Sequence, residues 1–115
     1  MSISIDPKNI GFEHSKSFSL QESVQYADDS IVSKIVSKKD TGNVTLFAFD
    51  AGQFLSEHTA PFDALVQIVE GEARVVINSH EHIVTEGQMI VMPANIPHAV
   101  YANKRMKMML IMIKS

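Results

Sequence analysis

Gly52-Gln-Phe54-Leu-Ser56-Glu-His58-Thr-Ala60-Pro-Phe-Asp-Ala64-Leu-Val66-Gln-Ile-Val-Glu-Gly71 is the stretch that decides the fold. Between its bounding glycines lie two short runs, residues 54–59 and 64–69, parted by a proline turn. Runs of this length, carrying aromatic and β-branched residues between turn signals, read as strands. A second stretch repeats the plan: Gly87-Gln-Met-Ile-Val-Met-Pro93-Ala-Asn95-Ile-Pro-His98-Ala-Val100-Tyr-Ala102. Here the runs are residues 89–92 and 98–102. Residues two apart on a strand share a face, so positions 58 and 60 point one way, and His98 meets them from another strand.

Further strands are expected at residues 31–36, 44–49, 73–77, 82–85 and 106–113, with a turn over 78–81. Many short strands separated by Gly, Pro and Asn turns make an all-β sandwich or barrel. The first forty residues carry less signal. Asp6-Pro7-Lys8-Asn9 and Ile10-Gly11 read as turns, residues 17–20 as a short strand, and residues 20–24 as the start of a brief helix that Asp28-Asp29-Ser30 interrupts. The chain is therefore expected to be one domain, residues 1–115, with an N-terminal extension over 1–40 and a barrel core over 43–113. The last strand places Met106, Met108, Leu110 and Met112 on one face and Met109, Ile111 and Ile113 on the other. A strand apolar on both faces is covered on both, by a second sheet or a partner subunit, and a homodimer is expected on that ground.

Composition removes several classes of function. Ten Lys and Arg against thirteen Asp and Glu give a net charge of −3, so no basic field favours nucleic acid or an anionic membrane. Lys104, Arg105 and Lys107 alternate with other residues and read as a solvated strand face. The absence of cysteine excludes disulfides, a thiol nucleophile and thiolate-bound zinc or iron–sulfur sites. No run approaches the roughly 18 apolar residues of a membrane helix. The opening Met-Ser-Ile-Ser-Ile-Asp lacks the basic and apolar regions of a signal peptide, which points to the cytoplasm. The five glycines (11, 42, 52, 71, 87) are too scattered for a P-loop, dinucleotide fingerprint or nucleophile elbow.

The two glycine-bounded stretches resemble the paired signature motifs of the cupins, with Gly52, His58 and Gly71 in frame in the first and Gly87, Pro93 and His98 in the second. That resemblance implies a double-stranded β-helix, or jelly-roll, barrel whose N-terminal strands extend the sheet. It also implies a cavity in which such proteins hold zinc, nickel, manganese or iron. The departures lie where the family keeps its other metal ligands: Ala60 stands for the second histidine and Ala64 for the glutamate, while Asn95 replaces an inner glycine and Ala102 a final asparagine. Asn tolerates the left-handed backbone that glycine would supply. Alanine offers a cation no lone pair, which leaves His58 and His98 as a two-histidine metal site, weak or partly hydrated.

No neighbour has the phase to replace the missing donors. Glu57 and Gln67 point to the opposite face, Asp63 would need a bulge, and the Ser56 hydroxyl is a poor ligand. With His58 and His98, the residues of inward phase are Phe54, Ser56, Val66, Val100 and Ala102, and these are expected to line a ligand site that the alanines enlarge and dry. The leading expectation is a small-molecule-binding barrel. The alternatives are a metal-dependent enzyme of dioxygenase or isomerase type, using His58 and His98, and a stand-alone ligand sensor without a DNA-binding helix pair of its own. His80 and His82 beside Glu81 read as a solvated hairpin tip and His14 as exposed. The methionines read as core, and Glu70 and Glu72 as solvated acids with no acid–base role.

Overall fold

Strand formation follows the punctuation of the chain. A computed structural model describes residues 3–5 and 12–114, and ten strands run through them. In chain order they are β1 Ile3–Ile5, β2 Ile31–Lys39, β3 Gly42–Phe49, β4 Phe54–His58, β5 Ala64–Glu70, β6 Glu72–Ile77, β7 His80–Thr85, β8 Met89–Met92, β9 His98–Tyr101 and β10 Met106–Ile113. Among the described residues no helix is long and apolar enough to cross a membrane.

The strands form a six-stranded sheet, β1-β2-β3-β10-β5-β8, and a four-stranded sheet, β4-β9-β6-β7. Pairing is antiparallel throughout except for β1 alongside β2. From β3 to β6, and again from β7 to β10, each connection crosses from one sheet to the other, so the two sheets close face to face as a jelly roll. The all-β barrel expected from the sequence is the architecture found, with β1 and β2 extending one edge of the larger sheet.

Turn chemistry accounts for several ends. Asn78 (φ 50°) and Ser79 (φ 66°) are both left-handed, the two-residue hairpin geometry that matches strand twist. β7 consequently starts at His80, two residues before the expected start at 82. Gly71 (φ +77°) turns β5 into β6, and a Cβ there would stand 2.9 Å from the Arg105 carbonyl oxygen, so both conformation and space require glycine. Asn95 takes φ 65°, the left-handed conformation expected of it. Residues 17–20 form no strand and 20–24 no helix; they are extended chain and turns. The turns expected at Asp6–Gly11 lie outside the described residues.

Two apolar clusters flank the large sheet. The main one fills the space between the sheets and includes Phe49, Val66, Ile68, Val75, Met106 and Met108, each fully or almost fully buried. At about 1.5–3 kcal/mol per buried large side chain, this cluster dominates stability. The second lies on the outer face of the large sheet, where Leu46, Ala48 and Val69 are covered by Val24 together with Phe12, Leu20 and Tyr26. The outward face of the sheet is therefore closed in part by the chain's own N-terminal segment.

Polar anchors hold that segment down. Lys107, expected on a solvated face, is only 6% exposed, and its Nζ donates to the Gln21 carbonyl while lying over the Tyr26 ring. The Tyr26 hydroxyl donates to the Glu70 carboxylate, so this acid is also less solvated than expected. Burial, and then the bond to Glu70, push the Tyr26 hydroxyl well above its ordinary pKa and keep it a donor. Arg105 stays outside, bridging Asp28 and Asp50 at 3.0 and 2.9 Å.

Candidate functional site

The two histidines come from neighbouring strands of the small sheet. Phe54 pairs with Tyr101 and Leu55 with Val100, but the next pair is His58 with His98, so Ser56 and Glu57 together oppose Ala99. This β-bulge inserts one residue into β4 and reverses the phase of what precedes it. Leu55, not Phe54 or Ser56, then joins His58 inside the barrel. Phe54 is turned out, 41% exposed and stacked on Tyr101 with ring centroids 5.6 Å apart. Ser56 is also exposed, and both are corrections to the expected lining.

His58 stands at the mouth, exposed, and His98 lies beneath it at 3% exposure. Their rings meet edge to face with centroids 4.5 Å apart and planes at 70°. Each Nδ1 is bonded to the carbonyl two residues before it, His58 to Ser56 at 2.8 Å and His98 to Ile96 at 3.1 Å. A carbonyl only accepts, so each Nδ1 carries the proton and each neutral ring keeps its lone pair on Nε2. The backbone thereby leaves one nitrogen acceptor on each of two adjoining rings.

The rest of the chamber is apolar. Ala60 and Ala64 line it as expected, with Val100 from β9, Met92 from β8 and Met108, Leu110 and Met112 from β10. Val66 and Ala102 point inward but belong to the packed core, not to the chamber wall. The sequence showed the inward phase of Met108, Leu110 and Met112, but core packing alone accounted for it. The chamber measures only about 50 Å³, because long thioether and leucine side chains fill the room the alanines leave. That volume holds a few atoms, not a whole small molecule.

A third donor is missing. Asp63 Oδ1 accepts the Ala94 N–H at 2.9 Å and so ties together the loops that precede β5 and follow β8. Glu57 is exposed, and no group of three His, Asp or Glu side chains able to hold a metal occurs among the described residues. Catalytic zinc takes three protein ligands and the non-haem iron site two histidines and a carboxylate, so the donor set does not fit a tightly held resident metal.

Burial lowers the pKa of His98 below its ordinary 6.5; the bond to the Ile96 carbonyl opposes this and the neighbouring His58 adds to it. The linkage has a definite sign. Above 6.5 both folded and unfolded chains hold this ring neutral and its contribution to stability is complete. As pH falls below that value the unfolded chain takes up the proton first, and stability is lost until the folded pKa is passed. Urea midpoints are expected to fall between about pH 7 and pH 5, less steeply in His98→Gln. Equal slopes in the two proteins would remove His98 as the cause.

Comparison with known proteins agrees with this fold. The family profile described as the cupin domain matches residues 45–114. The fold is similar to a conserved protein of unknown function from Streptococcus pyogenes, at 37% identity and TM-score 0.87 over 91% of this chain and 92% of that one. It is also similar to a cupin 2 conserved barrel domain protein from Leptotrichia buccalis, at 41% identity and TM-score 0.81 over 84% of this chain. The match covers 47% of that second protein, so the chain spans about half its length. A cupin superfamily protein from Desulfitobacterium hafniense shares the fold at 22% identity and TM-score 0.85, over 93% of this chain and 96% of that one. No curated protein matches the chain significantly.

Proposed function

This chain belongs to the cupin domain family, and from that premise we propose that it is a small-molecule-binding barrel whose His58 and His98 receive the hydrogen-bond-donating end of a ligand. The observation that carries this reading is the pair of Nδ1 bonds, which leaves Nε2 as the acceptor of each of two adjoining rings that line an apolar chamber. Two ligand donors, such as a pair of hydroxyls or the two N–H groups of a primary amide, satisfy both without any metal. Family membership alone does not select a chemistry, since one fold hosts many. The donor count favours binding over a resident metal.

Two measurements test it together. Protein purified without added metal and dialysed against chelator is expected to contain far less than one metal per chain. Urea and ethylene glycol, titrated into that protein, are expected to shift the His58 and His98 ring resonances, with about fivefold weaker binding in His58→Ala for the loss of one neutral hydrogen bond. Stoichiometric metal surviving chelation, and lost in His58→Ala, would instead support the metal-dependent enzyme.

We also propose a homodimer through the part of the large sheet that the N-terminal segment leaves bare. Val44, Ile111, Leu65 and Val91 stand in register across β3, β10, β5 and β8, and Val91 and Ile113 are 50% and 52% exposed. This row continues the apolar surface already covered by Val24, and a two-fold axis would lay it against its own copy. Light scattering on the eluted protein is expected to give twice the chain mass, and Val91→Glu the chain mass; a monomeric wild type would end the idea.

A further inference from the structure

The chamber is too small for a whole ligand, and the space beside it is not. A groove of about 290 Å³ lies along the inner face of β2, β3 and β10 and shares Leu110 and Met112 with the chamber wall. Together the two spaces reach the lower end of the range for small-molecule sites, about 300–1,000 Å³. The two compartments differ in chemistry. The chamber offers two nitrogen acceptors. The groove offers an apolar floor of Ile35, Leu110 and Met112 and a polar end at Lys38, Asn43 and Thr45.

Lys38 reaches this end because of a second bulge. The register of β2 on β3 shifts between Ile35 and Ser37, so that Ile35 opposes Thr45 and Lys38 opposes Asn43. Strict alternation would turn a residue three places from Ile35 to the outer face; the inserted residue brings Lys38 to the inner one. Lys38 is exposed, and none of the ion pairs among the described residues engages it. A cation that no carboxylate among the described residues engages, at the rim of an apolar groove, is complementary to an anionic group on the occupant.

We propose that chamber and groove form one elongated site for an apolar-bodied carboxylate, its carboxylate at Lys38 and Asn43 and a hydroxyl at its far end between His58 and His98, donating to one of the two rings. This rests on the reading of the two histidines given above and adds the ligand's length and its second polar end. Two strand spacings of about 4.8 Å separate β2 from β10 and about 10 Å separates facing sheets, so the body spans on the order of 10–14 Å. The flexible methionines can move aside to join the two spaces.

The probe is ω-hydroxydecanoate, titrated into protein carrying labelled methionine methyls. Shifts are expected at Met112 and at the His58 and His98 rings. Lys38→Ala, at an exposed position, is expected to weaken binding about tenfold, as for loss of a charge-assisted bond, while α,ω-decanediol binds wild type and variant within about twofold. Shifts at the histidines with no effect of Lys38→Ala would overturn the elongated site and leave the histidine reading standing. Binding that leaves both rings unmoved would overturn both. No binding of the probe at millimolar concentration would also overturn the elongated site, and the urea and ethylene glycol titrations would still decide the histidine reading.

Discussion

Ala60→His combined with Ala64→Glu is expected to convert the chamber into a metal site, binding zinc or nickel more than about a hundredfold tighter than the wild type. Both positions already line the chamber with His58 and His98, so the new donors would enter the same chamber as the two existing rings. The outer shell is also in place, since each histidine is oriented by a backbone carbonyl. Such outer bonds alone are worth about tenfold to a hundredfold in affinity, and two added direct donors should exceed that. The cost falls on the metal-free protein. Ala64 is 3% exposed and sits between Met92 and Met112, so the larger side chain overpacks the wall by about 1–3 kcal/mol. The metal-free variant should thus melt below the wild type and recover when zinc is added, as ligand binding to the folded state requires. Calorimetric titration with zinc and melting curves with and without it check both halves. Affinity no better than the wild type's would mean that positions 60 and 64 do not converge on the histidines.

That prediction depends on alanines whose place was readable from spacing, and the contrast with Phe54 and Ser56 shows where such reading stops. Strand existence follows from Gly, Pro and Asn punctuation, which is local, and the expected strands from 44 to 113 all form, most with ends shifted by a residue or two. Strand phase follows from alternation, which holds until an extra residue is inserted. Nothing in Leu55-Ser56-Glu57-His58 announces the bulge, because it is set by the pairing of His58 with His98 across the sheet. One inserted residue exchanged Leu55 for Phe54 in the site, and another brought Lys38 to the inner face. Lys107 failed for a related reason. Its alternation was read correctly as outward, but outward was not solvated, because residues 12–26 lie over that face without forming any strand or helix of their own. Periodicity cannot report a segment that packs by irregular contacts.

That irregular segment is where the second large effect is expected: Val24→Asp should release it from the sheet while leaving the barrel folded. Val24 is fully buried in one cluster with Leu46, Ala48 and Val69, all of them apolar. Burying an unpaired charge costs several kcal/mol, and the apolar contribution of the valine, about 1.5–3 kcal/mol, is lost as well. The attachments opposing release are few. Lys107 and Tyr26 bond across to Gln21 and Glu70, and Gln21 donates to the Val69 carbonyl at 3.3 Å, but no ladder of backbone bonds joins the segment to the sheet. Detachment is therefore cheaper than keeping the charge buried. The inner cluster between the sheets does not touch Val24 and should persist, with His58 and His98 still paired. Exchange of the hydrogen-bonded Phe12, Glu22 and Ser23 amides is expected to accelerate by about a hundredfold or more, the equivalent of roughly 3 kcal/mol of local stability, while β5, β9 and β10 stay protected. Limited proteolysis should cut first in the same segment. Loss of protection in β9 and β10 together with residues 12–26 would show instead that the segment is an integral part of the barrel's cooperative unit, and that the outer cluster, not only the inner one, holds the two sheets together.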